Sequence, residues 1–156
     1  MRRMSNGVVT IAWVIALASV AACSRTSSPS NPAGAPTAVS AAAAFAKASA
    51  AFSAKDYVKA MGWFRVAAAH GDAKAQNFIG LFYEEGLGVP VDHAQAAHWF
   101  RLGADRGNAS AQYDLSQAYQ YGIGVPLDAA QARAWMTKAA AGGNGDAKDW
   151  LAQHPK

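Results

Sequence analysis

Cysteine is almost missing from this chain: a single residue, Cys23, excludes any intrachain disulfide framework. Histidine is scarce as well. His93 and His98 stand five apart, off the shared i, i+4 face of a helical metal pair, His70 precedes a glycine at a helix end, and His154 is near the C-terminus. No serine occupies a nucleophile elbow, and no base, acid and nucleophile fall into a recognisable spacing. The residues therefore nominate no catalytic group, no metal ligand and no cofactor, and the chain does not read as an enzyme. Charge is thin, 15% of residues, and the net +4 falls to +2 once residues 1–22, with Arg2 and Arg3, are set aside. Without a basic stripe, nucleic acid is not an expected partner. No apolar run reaches the roughly 20 residues of a membrane-spanning helix; Val8–Ala22 is the longest, with 15.

What the chain has is periodicity. Trp63, Trp99 and Trp135 recur every 36 residues, and Asp56, Asp92 and Asp128 keep the same step. So do Ala60, Ala96 and Ala132, and Gly71, Gly107 and Gly143. Residues 73–108 and 109–144 are identical at 16 of 36 positions. A fixed step of this size is the signature of a repeat stack, in which each unit buries its apolar face only against a neighbour.

The N-terminal residues read as an address. Arg2 and Arg3 precede the apolar run, which ends Val20-Ala21-Ala22-Cys23. That string resembles the lipobox of bacterial lipoproteins, which implies cleavage after Ala22 and acylation of Cys23. Two or more acyl chains anchor stably where one is marginal. Ser24, where inner-membrane lipoproteins carry aspartate, points by the same resemblance to the outer membrane, facing the periplasm. Residues 24–40, rich in Ser, Pro, Ala and Asn, read as a disordered tether with an r.m.s. span of roughly 20–25 Å.

Each unit reads as a helical hairpin. The spacing predicts helices over 73–85 and 92–105, separated by Gly86-Leu87-Gly88-Val89-Pro90, a string repeated as Gly122-Ile123-Gly124-Val125-Pro126. This glycine loop follows a helix and lacks a third glycine, so it is a helix stop, with left-handed glycine and then proline, and not a dinucleotide loop. Asp92 with Gln95 and Asp128 with Gln131 have capping-box spacing. Ala96, Trp99, Phe100 and Gly103 occupy one helical face, which predicts an indole wedged between successive hairpins, with Tyr83 and Tyr119 as partners. Burying such a ring is worth roughly 4–6 kcal/mol gross.

Ala75-Gln76, Ile79-Gly80, Tyr83, Gly86-Leu87-Gly88-Val89, Asp92, Ala96, Trp99, Ala104 and Gly107 resemble a Sel-one-like repeat, a longer relative of the tetratricopeptide repeat. The next unit matches except at Ser116, where the family has glycine, and this predicts a slightly wider helix crossing. The resemblance implies an all-α fold, a solenoid of stacked antiparallel helix hairpins. Its parts are a leader at 1–22, the lipidated cysteine and tether at 23–40, and a helical domain at 41–156. Within that domain lie a tetratricopeptide-like unit at 41–72, repeats at 73–108 and 109–144, and a capping helix and tail at 145–156. Some cysteine-rich relatives are linked to penicillin binding or β-lactam hydrolysis. They staple each unit with a disulfide that this chain lacks, so a weak hydrolase is only a remote alternative.

Positions that change between repeats are free to serve a ligand. Lys74, Phe78, Leu81 and Glu85 in one unit, and Ser110, Asp114, Gln117 and Tyr121 in the next, fall on one face of each first helix. The resemblance implies that these helices line an inner wall, with Trp150 at the equivalent place in the last one. A membrane-tethered adaptor holding a protein or peptide of the cell envelope is the leading expectation. A structural lipoprotein contacting peptidoglycan is the alternative, and exposed aromatics beside carboxylates or amides would favour it.

Overall fold

The structure, a computed structural model, describes residues 39–155; the leader, Cys23 and all but the end of the tether lie outside them. Among the described residues the regular elements are seven α-helices: α1 (Ala41–Ser53), α2 (Tyr57–Ala69), α3 (Ala73–Glu85), α4 (His93–Asp105), α5 (Ala109–Tyr121), α6 (Ala129–Ala141) and α7 (Gly145–Gln153). They pair as hairpins α1–α2, α3–α4 and α5–α6, each packed on the next, and α7 lies against α6. All seven belong to one compact unit, 37–156, which holds its own core. The fold is an all-α solenoid of stacked hairpins.

Every helix starts on a capping side chain. Ser40, Asp56, Asp72, Asp92, Asn108, Asp128 and Asn144 each accept an N–H from the first turn of their helix. Only half of each expected capping box forms. The Asp92 and Asp128 carboxylates accept from the N–H groups of Gln95 and Gln131. Their own backbone N–H groups donate instead to the carbonyls of Tyr83 and Tyr119, at 2.9 Å each. The donor that a glutamine side chain would have bonded is already taken by the preceding helix.

The glycine loops do more than stop helices. Gly86 and Gly122 adopt left-handed caps, φ 72° and 68°. The second glycine of each loop seats the loop on the previous unit. A β-carbon on Gly88 would lie 3.0 Å from the Tyr57–Val58 backbone at the start of α2, and one on Gly124 would overlap His93 and Ala94 at the start of α4. Each loop thus docks on the first turn of the second helix one unit back, and the sequence reading had missed this contact.

The tryptophans are not equivalent. Trp135 is 5% exposed in the second core cluster, whereas Trp99 and Trp63 are half-buried against the first. The most buried large side chain of each second helix is the next residue: Phe64, Phe100 and Met136 are 1%, 2% and 1% exposed. The expectation of a buried indole at every junction is corrected accordingly. The indole faces back toward the preceding unit, and the first hairpin has none among the described residues. The neighbouring side chain is buried in every unit, Phe100 against Gly80 and Met136 beside Ser116 of their own hairpins, and Phe64 between Phe45 of its own hairpin and Phe78 of the next.

Successive units are also latched. The Arg65 guanidinium donates to the Tyr83 hydroxyl at 2.8 Å, and Arg101 donates to Tyr119 at 2.8 Å. Arg101 also lies 5.3 Å from the Trp135 ring centre.

Candidate interaction face

The first helices α3 and α5 touch directly, which brings the positions that vary between repeats onto adjoining surfaces. Lys74 and Ser110 are exposed near the starts of these helices. Glu85 and Tyr121 are exposed at their ends, Tyr121 by 62%. The middle of the face is occupied by packing. Phe78 stacks parallel on Phe64, 4.8 Å between centres, with Phe45 edge-on at 5.8 Å. Leu81 packs on the second core cluster. Gln117 is half-buried. The face therefore has an aromatic, filled end by α1 and a polar end by α5 and α7.

The polar end carries its own electrostatics. Asp114 accepts from Asn77 Nδ2 at 2.6 Å, which ties α5 to α3. Burial pushes the Asp114 carboxyl up to about 6; the Asn77 hydrogen bond opposes the shift and the Glu84 charge adds to it. Glu84 is raised by burial too, with His93 lowering it and Glu85 raising it. Tyr113 is raised by burial and then by Asp146. The result is a partly desolvated acidic strip of Glu84 and Asp114, edged by Tyr113 and Tyr121, with exposed Asp146 acting on Tyr113. Such a strip favours a cationic or hydrogen-bond-donating ligand. Among the described residues, no group of three or more His, Cys, Asp or Glu side chains is placed to hold a metal ion.

Trp150 is half-buried at the far end, stacked on His154 at 4.4 Å, with the Arg133 guanidinium 6.0 Å from its ring centre. Asn77, Glu84 and Tyr113 belong to this surface and were not singled out from the sequence. The signal was there, since the three residues fall at two positions that differ between the repeats: Asn77 against Tyr113, and Glu84 against Gln120. A single i, i+4, i+7, i+11 stripe passed beside them.

The Sel1 repeat family model matches residues 51–72, 73–108 and 109–144. The first stretch lies inside the unit 41–72 that was likened to a tetratricopeptide hairpin, and it has no glycine loop. Among solved structures, a Sel1 repeat protein from Oxalobacter formigenes is 42% identical over 72% of this chain and 34% of its own, TM-score 0.67. The protein c5321, a protective antigen of uropathogenic Escherichia coli strains, is 36% identical over 71% of this chain and 25% of its own, TM-score 0.68. Helicobacter pylori cysteine rich protein B is 26% identical over 60% of this chain and 70% of its own, TM-score 0.58. The chain thus spans about a third and a quarter of the first two. No curated protein matches it significantly. With three consecutive units matched over more than half its residues, and the same stacked hairpins in these relatives, the chain belongs to the Sel1 repeat family.

Proposed function

We propose that this protein is a membrane-tethered adaptor that holds a protein or peptide in the bacterial periplasm. Sel1 repeat proteins are typically protein-interaction scaffolds and generally non-catalytic. The observation that carries the reading is the polar end of the first-helix face. Side chains differing between two otherwise similar repeats assemble there into one acidic strip with exposed Tyr121. A basic or amide-rich peptide segment suits that strip. The lipobox-like Val20-Ala21-Ala22-Cys23 supplies the tether and favours the outer membrane.

A second reading is contact with cell-wall glycan, favoured by exposed Tyr121 and by Tyr113 beside Asp114 and Gln117. It ranks lower because one face of Trp150 is stacked on His154 and Asp114 is bonded to Asn77. Crosslinking in intact cells followed by mass spectrometry separates the two. The adaptor reading expects a protein partner, and recovery of peptidoglycan fragments instead would displace it. For the anchor, Cys23→Ser is expected to abolish labelling with radioactive palmitate; labelling that survives the change refutes acylation at that residue.

A further inference from the structure

The side of the first hairpin that faces away from the stack is hollow. Ala50, Ala51 and Ala54 floor a groove of about 470 Å³, Trp63 forms a wall, and Lys47 and Lys59 rim it. Asp56 also lines the groove, but its carboxylate caps α2 by accepting from the Lys59 N–H at 3.2 Å. A second hollow of about 310 Å³ continues along α2 past Gly62 and Val66, sharing Trp63 and Lys59. The Lys47 ammonium lies 4.4 Å from the Trp63 ring centre. No helix of the described residues packs on this side.

The rest of the stack shows what such a side receives. In the next two units the same side carries Tyr83 with Trp99, and Tyr119 with Trp135. There the second helix of the preceding unit is seated, with Arg65 of α2 bonded to Tyr83 and Arg101 of α4 bonded to Tyr119. Counted from the N-caps Ser40, Asp72 and Asn108, Ala51 stands where Tyr83 and Tyr119 stand. Lys47 stands where Ile79 and Leu115 are buried. The seat for a helix is kept, but its chemistry is changed. The tyrosine that would receive an arginine is gone, the space it filled is empty, and lysine has replaced a core aliphatic. A helix resembling α2 or α4 would bring its arginine toward Lys47 and Lys59, which like-charge repulsion opposes.

We propose that this face docks an amphipathic helix of a partner protein, with an apolar stripe laid along Trp63, Ala50 and Val66 and acidic side chains bordering it. The seat repeats an interface that the chain already uses twice, and the lysine rim sets the sign of the occupant's charge. A second copy is a poorer occupant, because pairing two such faces sets Lys47 and Lys59 against their duplicates. None of these residues belongs to the first-helix face of α3 and α5, so this proposal stands or falls separately from the adaptor reading.

The test uses residues 24–156, which include the whole compact unit. Fluorescence anisotropy compares a labelled 13-residue amphipathic helix with a leucine–alanine stripe and flanking glutamates against the same helix with flanking lysines. The glutamate helix is expected to bind at micromolar Kd, shift tryptophan emission to the blue in a way that Trp63→Phe removes, and bind roughly tenfold or more tighter than the lysine helix. The Lys47→Glu, Lys59→Glu double variant, with helix content checked by circular dichroism, is expected to reverse that preference. Tyr121→Ala is expected to leave it unchanged. Equal affinity for the two helices, or no reversal, overturns the proposal. So does binding that appears only after residues 24–36 are removed, which would make that segment the occupant. A dimer of the protein that Ala50→Glu dissociates overturns it as well, in favour of a second copy.

Discussion

Gly80 of α3 lies directly beneath the ring of Phe100 in α4, so close that a β-carbon there would overlap Cδ1 and Cε1 of the ring. One repeat later the pair is Ser116 and Met136: the serine donates to the Tyr113 carbonyl at 2.6 Å, and its Oγ lies 3.7 Å from the Met136 sulfur. Bulk has been traded across the hairpin. Room for the hydroxymethyl comes with the replacement of a rigid ring by a flexible thioether. Gly80→Ser alone is expected to destabilise by about 1–3 kcal/mol through overpacking. Adding Phe100→Met should recover most of that loss in a double-mutant cycle followed by urea denaturation. Simple additivity would contradict the exchange.

The docking of the glycine loops separates two kinds of glycine. Gly107 has φ +83° and open space around its missing β-carbon, whereas Gly124 has φ +70° and the His93 carbonyl against it. Gly107→Ala should therefore cost only the backbone term, about 1 kcal/mol. Gly124→Ala should cost distinctly more, about 2–4 kcal/mol, because the loop must leave α4. Thermal melts of the two variants check the order, and equal losses would mean the loop does not seat there.

Asp114 gives the fold a pH dependence of definite sign. Its carboxyl holds a proton more tightly in the folded chain, at about 6, than at its ordinary 3.8. Its contribution to stability is thus fully present below about 3.8 and lost as pH rises through about 6. Between pH 7.5 and 4.5 this group should add about 2 kcal/mol. The difference between the native protein and Asp114→Asn, measured by denaturation across that range, isolates it from the capping carboxylates, which both share. No difference in slope would show that the Asp114 carboxyl is solvated.

The three tryptophans should rank by what faces them. Trp135→Ala is expected to cost about 3–5 kcal/mol, as for other fully buried large side chains. Trp99 should cost less and Trp63 least, roughly 1 kcal/mol, since its outer side meets no helix among the described residues. Melting temperatures of the three variants give the order directly.

Much of this was legible in the chain. Helix α3 falls where period and caps place it, and Asp92 is the cap just ahead of a helix that begins one residue later. Period and capping are local, so one strand of sequence carries them. Contacts between units are not local. The Arg101–Tyr119 latch and the seat of Gly124 on His93 join residues whose 36-residue recurrence was visible but whose partners were not. The same limit applied to the ligand face. Phe78 and Asp114 were chosen because they vary, yet Phe78 varies to fill a core beside Phe64 and Asp114 to bond Asn77. Variation marks freedom from the repeat pattern, and packing against an atypical first unit uses that freedom as readily as a ligand does.

On this reading the polar end of the first-helix face holds a protein partner. A photo-crosslinking amino acid placed at Ser110 or Tyr121 on that face, or at the exposed positions Gln95 and Gln131 of the second helices, tests it in living cells. One discrete protein adduct is expected from Ser110 and Tyr121 and none from Gln95 and Gln131. Adducts of equal yield from all four sites, or adducts from the second helices alone, would contradict it.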